Sequence, residues 1–323
     1  MEGENEYKRV AVFGGAGFVG NALVSKLLDL GIRVGVFDNF STGRREFLDE
    51  TSPHLEIVEG DIADRDRVED FVQRFGPDAA VILAAVHYIP LCNRDPVLAM
   101  RTNVLGTHVV LQACGKAGIR KVVFASSAAV YGIGDNPHDE EEPPAPTDVY
   151  GMTKVIGEEL CRDASRNYGL RTVVARLFNI YGPRETNPHV IPEIVSQALA
   201  GDLLRLGNLE PKRDYIHVSD VADALALLLL SPMSADFEVF NVGTGREYSV
   251  KEVVEIAERV LGRKLYIEPD PARMRRSDRL HLCARIDKMV RHFGWRPRVD
   301  LEEGLRRLLL WEWAQAVPST VAH

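Results

Sequence analysis

The chain has 323 residues, of which 46% are hydrophobic and 27% charged, and its formal net charge is −8 at pH 7. This length can bury one large core or two moderate ones, and the acidic balance argues against a general binder of nucleic acid or membrane surfaces. The four cysteines (Cys92, Cys114, Cys161 and Cys283) form no CxxC pair, which favours free thiols in a reducing compartment over a disulfide framework or a zinc site.

Two further observations suggest a location. Met1–Glu6 is acidic and polar, which is unlike a signal peptide. The longest apolar run, Ala224–Leu230, is too short to span a bilayer. We therefore expect a cytoplasmic protein that binds neither a membrane nor nucleic acid.

The first predicted elements are a strand at Val10–Phe13 and a helix at Asn21–Leu30, and glycines fill the turn between them. Gly15, Gly17 and Gly20 stand in the order Gly-x-Gly-x-x-Gly. Glycines let the backbone turn tightly and approach a pyrophosphate, whose charge is held by the N–H groups at the start of a helix. The order of strand, glycine turn and helix predicts a dinucleotide site rather than an ordinary connection.

Asp38 supports the same interpretation, because it directly follows the next predicted strand, Arg33–Phe37. A carboxylate at this point can accept hydrogen bonds from the ribose hydroxyls of NAD and repels the 2′-phosphate of NADP. Arg44 and Arg45 lie close by in sequence and could accommodate that phosphate. We give Asp38 more weight because it ends the strand, and we expect NAD.

Strand-like and helical patterns alternate through the first half of the chain. Further strands are predicted at Leu55–Val58, Ala79–Ala85, Lys121–Ala125 and Thr172–Ala175. Helices are predicted at Arg65–Phe75, Pro96–Ala117 and Tyr150–Tyr168. This alternation predicts an α/β fold with a doubly wound parallel (Rossmann) sheet.

After Arg176 the pattern changes and indicates a smaller C-terminal α/β substrate domain. Helices are predicted at Ile194–Gly201, Val218–Leu230 with Ser219 as a possible N-cap, Val250–Leu261, Ile286–Phe293 and Leu301–Trp313. A strand at Phe237–Val242 could return to the main sheet. We expect an NAD-binding domain of residues 1–177 plus about 214–245, and a nucleotide-sugar-binding domain of about 178–213 plus 246–323, with the ligands between them.

Tyr150 and Lys154 are one helical turn apart and so share one face of their predicted helix. A tyrosine with a pKa of about 10 is a poor base, but a lysine ammonium and a nicotinamide cation beside it would lower that pKa. Ser126 and Ser127 end a predicted strand, where a hydroxyl could bind the reacting oxygen. The spacing alone also fits an exposed tyrosine with a solvated lysine, and the serines alone also fit strand-end capping. The catalytic interpretation therefore depends on the dinucleotide motif upstream.

Several motifs spread between Arg9 and Trp311 belong together. They are Gly14–Gly20, Asp38–Gly43, Asp61–Ile62, Leu83–Ala85, Asn103–Thr107, Ser126–Gly132, Tyr150–Lys154, Arg176–Pro183 and Arg213–Val218. As a set they resemble the extended short-chain dehydrogenase/reductase family. Within that family the chain is most similar to the NAD-dependent nucleotide-sugar epimerases of the UDP-galactose 4-epimerase type.

The resemblance implies NAD as the cofactor, a nucleotide-diphosphate sugar as the substrate, no metal and a homodimer formed through helices near 96–117 and 150–168. The implied catalytic residues are Ser127, Tyr150 and Lys154. The implied cofactor-binding residues are Gly14, Gly17, Phe18, Val19, Gly20, Asp38, Asn39, Ser41, Thr42, Gly43, Asp61, Ile62, Leu83, Ala84, Ala85, Asn103, Tyr150 and Lys154. The implied substrate-binding residues are Ser127, Asn179, His189, Val190, Arg213, Tyr215, Arg275 and Asp278.

The arginines among the implied substrate-binding residues can be interpreted in two ways. Guanidinium groups suit a diphosphate, and Arg213 and Arg275 would supply local positive charge in an acidic protein. Without the resemblance, the basic cluster at Arg273, Arg275, Arg276 and Arg279 would be interpreted as a solvated face.

One stretch, Val86–Cys92, departs from the usual epimerase pattern, and Ile82 stands where the family often has a histidine. His87 follows the fourth core strand and is our further candidate for binding the sugar, together with its neighbour Tyr88. A lone histidine is also compatible with a hydrogen-bonded structural role. This stretch leaves the identity of the sugar open.

A second departure bears on the reaction. Dehydratases and decarboxylases of the superfamily carry an acid just after the catalytic hydroxyl residue, where this chain has Ala128 and Ala129. Loss of water needs a general acid and base, so this departure favours a 4-epimerase. The alternatives are a nucleotide-sugar dehydratase or keto-reductase of the same superfamily, and a non-catalytic dinucleotide-sensing regulator. A regulator would have no need for Ser127, Tyr150 and Lys154 together.

Overall fold

Twelve strands and eleven α-helices form the computed structural model, which describes residues 7–134, 137–273 and 279–316. The strands are β1 (Arg9–Phe13), β2 (Arg33–Asp38), β3 (Leu55–Glu59), β4 (Ala79–Ile82), β5 (Lys121–Ser127), β6 (Arg171–Leu177), β7 (Asn179–Tyr181), β8 (Leu203–Leu206), β9 (Lys212–His217), β10 (Phe237–Val242), β11 (Glu247–Ser249) and β12 (Tyr266–Pro269). The helices are α1 (Phe18–Asp29), α2 (Arg65–Phe75), α3 (Ile89–Arg94), α4 (Pro96–Met100), α5 (Thr107–Lys116), α6 (Val149–Tyr168), α7 (Val190–Ala200), α8 (Val218–Leu230), α9 (Val250–Leu261), α10 (Asp287–Phe293) and α11 (Leu301–Ala316). None of the helices within these ranges is long and apolar enough to cross a membrane.

Seven of the strands form one parallel sheet in the order β10-β6-β5-β4-β1-β2-β3. The order reverses at β1, which lies between β2 and β4. In open parallel sheets such a reversal opens a crevice at the carboxyl ends of the strands, where ligands bind. The prediction of a doubly wound parallel sheet is confirmed, and β10 does return to this sheet.

Both faces of the main sheet are buried, as parallel sheets require. One apolar cluster packs on the face covered by α1 and α8, and a second packs on the face covered by α2, α5 and α6. The second contains the four contacting rings of Phe13, Phe37, Phe71 and Phe75, whose neighbouring centroids lie 5.3–5.8 Å apart. A third cluster takes all its buried members from Tyr181 to Leu309.

One predicted helix start and one predicted helix cap differ from the structure. The helix predicted from Ile194 begins at Val190. Ser219 does not cap α8, because that helix begins at Val218, one residue earlier. Its N-cap is His217, whose ring nitrogen Nδ1 accepts a hydrogen bond from the backbone N–H of Ser219.

The predicted helix Pro96–Ala117 is confirmed as helical from Pro96 to Lys116, but its middle is not α-helical. A π-helical turn at Arg101–Gly106 separates α4 from α5. Asn103 lies in this turn, and its side chain exchanges hydrogen bonds with both backbone groups of Val86 and donates to Thr153 Oγ1. Widened turns of this kind occur where a side chain has to be aimed at a particular place. Here the turn directs Asn103 at the chain that leaves β4.

The predicted strand Ala79–Ala85 is too long. It ends at Ile82, because the backbone N–H groups of Leu83 and Ala84 both donate to the carbonyl of Phe13. This contact bends the chain over the end of β1. The short strands β7, β8, β9, β11 and β12 were not predicted, since three to six residues carry too little periodicity to be recognised.

Candidate active site

The turn between β1 and α1 accepts only glycine at two places. A Cβ atom on Gly20 would overlap the carbonyl oxygen of Gly14. Gly14 has a φ of +86°, and a Cβ there would lie 2.5 Å from the backbone nitrogen of Ala84. At Gly17, by contrast, a Cβ would only be in contact with the carbonyl oxygen of Gly14 at 3.4 Å, and no side chain caps the helix. The start of α1 therefore presents its free N–H groups to the crevice, as a pyrophosphate site requires.

Asp38 is held against this turn. Its oxygen Oδ2 accepts a hydrogen bond from the backbone of Ala16 at 2.9 Å, and Oδ1 accepts one from Phe40 at 2.9 Å. Burial raises the pKa of this carboxyl group, and the two backbone donors oppose that shift. Each oxygen keeps a further lone pair, so the carboxylate can still bind ribose hydroxyls.

The two arginines that favoured NADP are engaged elsewhere. Arg44 lies 3.6 Å from Glu46, and Arg45 lies 3.2 Å from Glu50. Both pairs are exposed and each is therefore weak. Each carboxylate nevertheless offsets the charge of its arginine, so neither arginine presents a full positive charge to a 2′-phosphate.

The other predicted cofactor residues surround the same turn. Asn39, Ser41, Thr42 and Gly43 form the loop after β2, and a Cβ on Gly43 would lie 2.8 Å from the backbone of Ala16. The neighbouring pair Phe18 and Val19 opens α1, and Leu83, Ala84 and Ala85 follow β4 across the turn.

Asp61 and Ile62 lie directly beyond β3. The carboxylate of Asp61 is 3.3 Å from Arg101, and buried Ile62 packs against Gly106. Both contacts are to the π-helical turn at residues 101–106. These two residues and Asn103 therefore form one wall of the predicted cofactor site. The residues predicted to bind the cofactor therefore lie around the ends of β1 to β4. The exceptions are Tyr150 and Lys154, which lie on α6.

The three predicted catalytic side chains meet at the end of β5. Tyr150 lies in the first turn of α6, which is capped by Asp148, and its hydroxyl is hydrogen-bonded to Ser127. The ammonium group of Lys154 donates to the carbonyl of Ala125 at 2.7 Å and lies 5.7 Å from the centre of the Tyr150 ring. Ser127 also accepts a hydrogen bond from Ala129, which orients its hydroxyl group.

Burial dominates the electrostatics of this group. It lowers the pKa of Lys154 to about 8 and raises that of Tyr150, whose hydrogen bond with Ser127 opposes the shift. Both groups are thus held nearer to their neutral forms than in water. A proton-accepting role for Tyr150 requires additional positive charge beside its ring.

The sequence analysis missed a buried ion pair behind the catalytic residues. Glu158 and Arg176 form two parallel hydrogen bonds of 2.8 and 3.0 Å, and their side chains are 6% and 4% exposed. Glu158 also accepts a hydrogen bond from Ser126 at 2.5 Å. Because Tyr150, Lys154 and Glu158 are spaced by four residues, the pair fixes the helix face that carries them. That spacing was the one signal in the sequence that could have identified Glu158.

His87 lies near Lys154, whose charge contributes to its electrostatics, and its Nε2 lies 2.8 Å from the amide nitrogen of Asn187. Burial and the neighbouring charges lower the pKa of His87 to about 4, so the ring is neutral. The predicted substrate residues His189 and Val190 are the N-cap and first residue of α7, and the ring of His189 lies 6.1 Å from that of His87.

Three further predicted substrate residues lie on the adjoining three-stranded sheet β11-β9-β7. Asn179 of β7 pairs with buried Tyr215 of β9. Arg213 of β9 donates to the carbonyl of Arg279 at 2.7 Å. Arg275 and Asp278, with Arg276, lie outside the described residues.

Arg279 and Arg273 do not form one solvated face. Arg279 is half-buried, donates to Thr147 Oγ1 at 2.7 Å, and reaches towards the carbonyls of Ala128 and Ala129. Burial lowers its pKa. Arg273 is exposed and paired with Glu193. The interpretation as a solvated face is therefore wrong for Arg279. Within the described ranges, no three His, Cys, Asp or Glu residues could hold a metal ion together.

Comparison with known proteins agrees with this geometry. Residues 10–243 match the NAD dependent epimerase/dehydratase family. A UDP-glucose 4-epimerase of Azospirillum brasilense is 35% identical to this chain, over 94% of it and 92% of that protein. The UDP-glucose 4-epimerase of Thermus thermophilus, solved with NAD, superposes with a TM-score of 0.87 at 34% identity, covering 96% of this chain and 100% of that one.

A further solved protein, MoeE5, is structurally similar to this chain in two complexes with NAD, one also containing UDP-glucuronic acid and the other UDP-glucose. The TM-score is 0.86 for both, at 30% and 29% identity, and the matches cover 95% and 96% of this chain and 99% and 100% of that one. Because these matches extend over nearly the whole chain, this chain belongs to the NAD dependent epimerase/dehydratase family.

Proposed function

We propose that this protein is a nucleotide-sugar 4-epimerase with tightly held NAD, and that its substrate is a UDP-sugar. The observation that carries the proposal is the hydrogen bond between Tyr150 and Ser127, with Lys154 behind them, at the mouth of a crevice that also contains the glycine turn. The UDP-glucose 4-epimerases to which the chain is similar support the choice of reaction and of nucleotide.

The residues present fit NAD. The close-packed glycine turn and the uncapped start of α1 suit its pyrophosphate, and Asp38 suits its adenosine ribose. Lys154 suits its nicotinamide ribose. When bound, NAD supplies a hydride acceptor and returns the same hydride, so the reaction has no net redox change.

The protein's own groups then have distinct tasks. Ser127 binds and orients the sugar 4-hydroxyl group, and Tyr150 removes its proton. Lys154, which burial makes less basic, provides positive charge that stabilises the phenolate of Tyr150. The diphosphate remains bound while the 4-keto sugar turns, so binding energy from a non-reacting part of the substrate serves the reaction. Tyr150 finally returns the proton to the new hydroxyl group.

Product analysis tests this function. The purified protein is incubated with UDP-, GDP-, CDP- and dTDP-sugars without added cofactor, and the products are separated and weighed by mass spectrometry. We expect a new UDP-sugar peak of unchanged mass. A product lighter by one water would contradict the proposal and favour a dehydratase, in spite of Ala128 and Ala129 in the turn after Ser127. Absence of any product, with NAD added back, would also contradict it and leave a dinucleotide-binding regulator.

We also propose the two domains expected above, residues 1–177 plus about 214–245 and residues about 178–213 plus 246–323. The separate apolar cluster of Tyr181–Leu309 supports the second domain. Strand β9 lies where the chain passes between the two proposed domains, because it pairs with β7 and β11 and is followed directly by α8, which packs on the main sheet.

We further propose a homodimer formed through the helices around α4, α5 and α6. This face has an apolar groove lined by Pro96, Val97, Met100, Val104, Leu105 and Leu160, with Arg101 and His108. Val97 and Leu105 are among the most exposed apolar side chains of the described residues. A second copy of the same face would bury them, as an isologous interface does.

Light scattering is expected to give twice the 36.0 kDa mass of the chain. Leu105→Lys should yield the monomer, because it places a charge in the centre of the apolar groove. The control is Leu310→Lys on α11, at a leucine that is 58% exposed against 48% for Leu105. A monomeric wild-type protein, or a dimeric Leu105→Lys variant, would contradict the proposed interface.

A further inference from the structure

A loop of residues 182–189, here called the crevice loop, joins β7 to α7 and is tied to the main sheet at two points. Arg184 donates to Asn21 Oδ1 and to the carbonyl of Phe47, both at 3.0 Å. Asn187 hydrogen-bonds His87 at 2.8 Å. Because Asn21 lies in the first turn of α1 and His87 follows β4, the crevice loop crosses the carboxyl edge of the sheet.

Glu185 is the buried acid of the crevice loop. Its oxygen Oε1 lies 2.6 Å from Nδ1 of His189, and its side chain is only 4% exposed. Its other oxygen, Oε2, is buried and has no hydrogen-bond partner among the described residues. A buried carboxylate oxygen without a donor is costly, so a group that brings a donor to this oxygen gains binding energy.

This oxygen belongs to a cluster beside the catalytic residues. The ring of His189, which holds Glu185, lies 6.1 Å from the rings of both His87 and Tyr88. The charge of Lys154 contributes to the electrostatics of His87, so the cluster borders the catalytic face.

Two neighbouring polar groups are already engaged. Nε2 of His87 is bonded to the amide of Asn187, which holds the crevice loop. The guanidinium of Arg184 is directed at Asn21 and Phe47. Glu185 Oε2 is the buried acceptor of this cluster for which the described residues supply no donor.

We propose that Glu185 determines sugar specificity, by accepting a hydrogen bond from a hydroxyl group of the bound sugar and by disfavouring sugars that carry a carboxylate. This inference rests on the proposed function and narrows it to neutral sugars. A hydroxyl group offers the donor that Oε2 lacks. A uronate offers no donor from its carboxylate and places a second negative charge in a site of low dielectric constant. The distinction matters, since the similar protein MoeE5 has been solved with both kinds of sugar.

Calorimetric titration of the NAD-loaded protein with UDP-glucose, UDP-glucuronic acid and UDP at about pH 8 tests the proposal, because the uronate is fully ionised there. An alkaline pH is also chosen because burial raises the pKa of Glu185, a shift that its bond with His189 opposes. We expect UDP-glucose to bind at least about tenfold more tightly than UDP-glucuronic acid. Glu185→Gln should narrow this ratio at least about fivefold, because its amide can donate to a uronate. Its affinity for UDP should not change, which also shows that the variant is folded.

Two further variants sharpen the result. Glu185→Met, which has no polar atom near Oε2, should lose at least about tenfold in affinity for UDP-glucose and nothing for UDP. The control Glu193→Gln removes a charge eight positions further along, from an acid paired with Arg273, and should leave the ratio unchanged. An unchanged ratio in Glu185→Gln with full affinity for UDP-glucose in Glu185→Met would overturn this inference alone. Failure of the wild-type protein to bind any UDP-sugar would overturn the proposed function with it.

Discussion

Replacing Tyr150 with phenylalanine is expected to lower kcat at least about a thousandfold, near the upper range for loss of a general acid–base group. The substitution removes one oxygen atom and keeps the ring in place. NAD should remain bound, because the contacts of the glycine turn and Asp38 are unaffected. The loss should therefore fall on kcat rather than on the affinity for the nucleotide-sugar.

The physical reason is the absence of another suitable base next to Ser127. The ammonium of Lys154 is committed to the carbonyl of Ala125, Nε2 of His87 is bonded to Asn187, and burial lowers the pKa of His87 to about 4, which makes it a weak base. Without the phenolic oxygen, the proton of the sugar hydroxyl has no direct acceptor in this group of side chains.

The measurement compares initial rates of UDP-sugar interconversion with the NAD content of the purified variant. Tyr168→Phe is a matched control, since it removes the same hydroxyl group from an exposed tyrosine at the other end of α6. Tyr168→Phe should retain full activity. If Tyr150→Phe kept more than about a tenth of the wild-type rate, the acid–base assignment would be wrong, because such groups contribute at least about a hundredfold.

Breaking the buried ion pair should have the largest effect on stability. Glu158→Ala removes the carboxylate and leaves the guanidinium of Arg176 buried without its partner, which costs about 3–5 kcal/mol in comparable pairs. Ser126 loses its hydrogen-bond acceptor as well. We expect the midpoint of urea unfolding to fall accordingly, and activity to fall with it, because Glu158 fixes the face of α6 that carries Tyr150 and Lys154.

Two companion variants show whether the loss of stability comes from leaving a buried charge unpaired. Glu159→Ala, at the next position, removes an exposed acid that lies 3.6 Å from Arg162, and such surface pairs contribute at most about 1 kcal/mol. Replacing both Glu158 and Arg176 with methionine should recover much of the lost stability, since no unpaired charge remains. Equal stability of Glu158→Ala and Glu159→Ala would show that the buried pair does not stabilise the protein.

The parts of the site that sequence predicted well are those coded within one local segment. The glycines between β1 and α1, Asp38 at the end of β2, and the Tyr150–Lys154 spacing each lie inside one short stretch. Their geometry follows from the strand, turn or helix that contains them. The same local rules also led to errors, as in the helix through residues 101–106, where the hydrogen bonds of Asn103 with Val86 override helical periodicity.

Sequence alone therefore predicted the doubly wound sheet and the dinucleotide turn, because alternation and glycine placement are local properties of the chain. The proposal of Ser127, Tyr150 and Lys154 as catalytic side chains came from the resemblance of their motifs to those of a known family. Only the tertiary structure decided that Glu158 pairs with Arg176, that Arg279 reaches the turn after Ser127, and that the crevice loop leaves one oxygen of Glu185 buried and unpaired. These contacts join residues from different elements. Their formation depends on how the elements pack, and no periodic pattern within one segment encodes that packing.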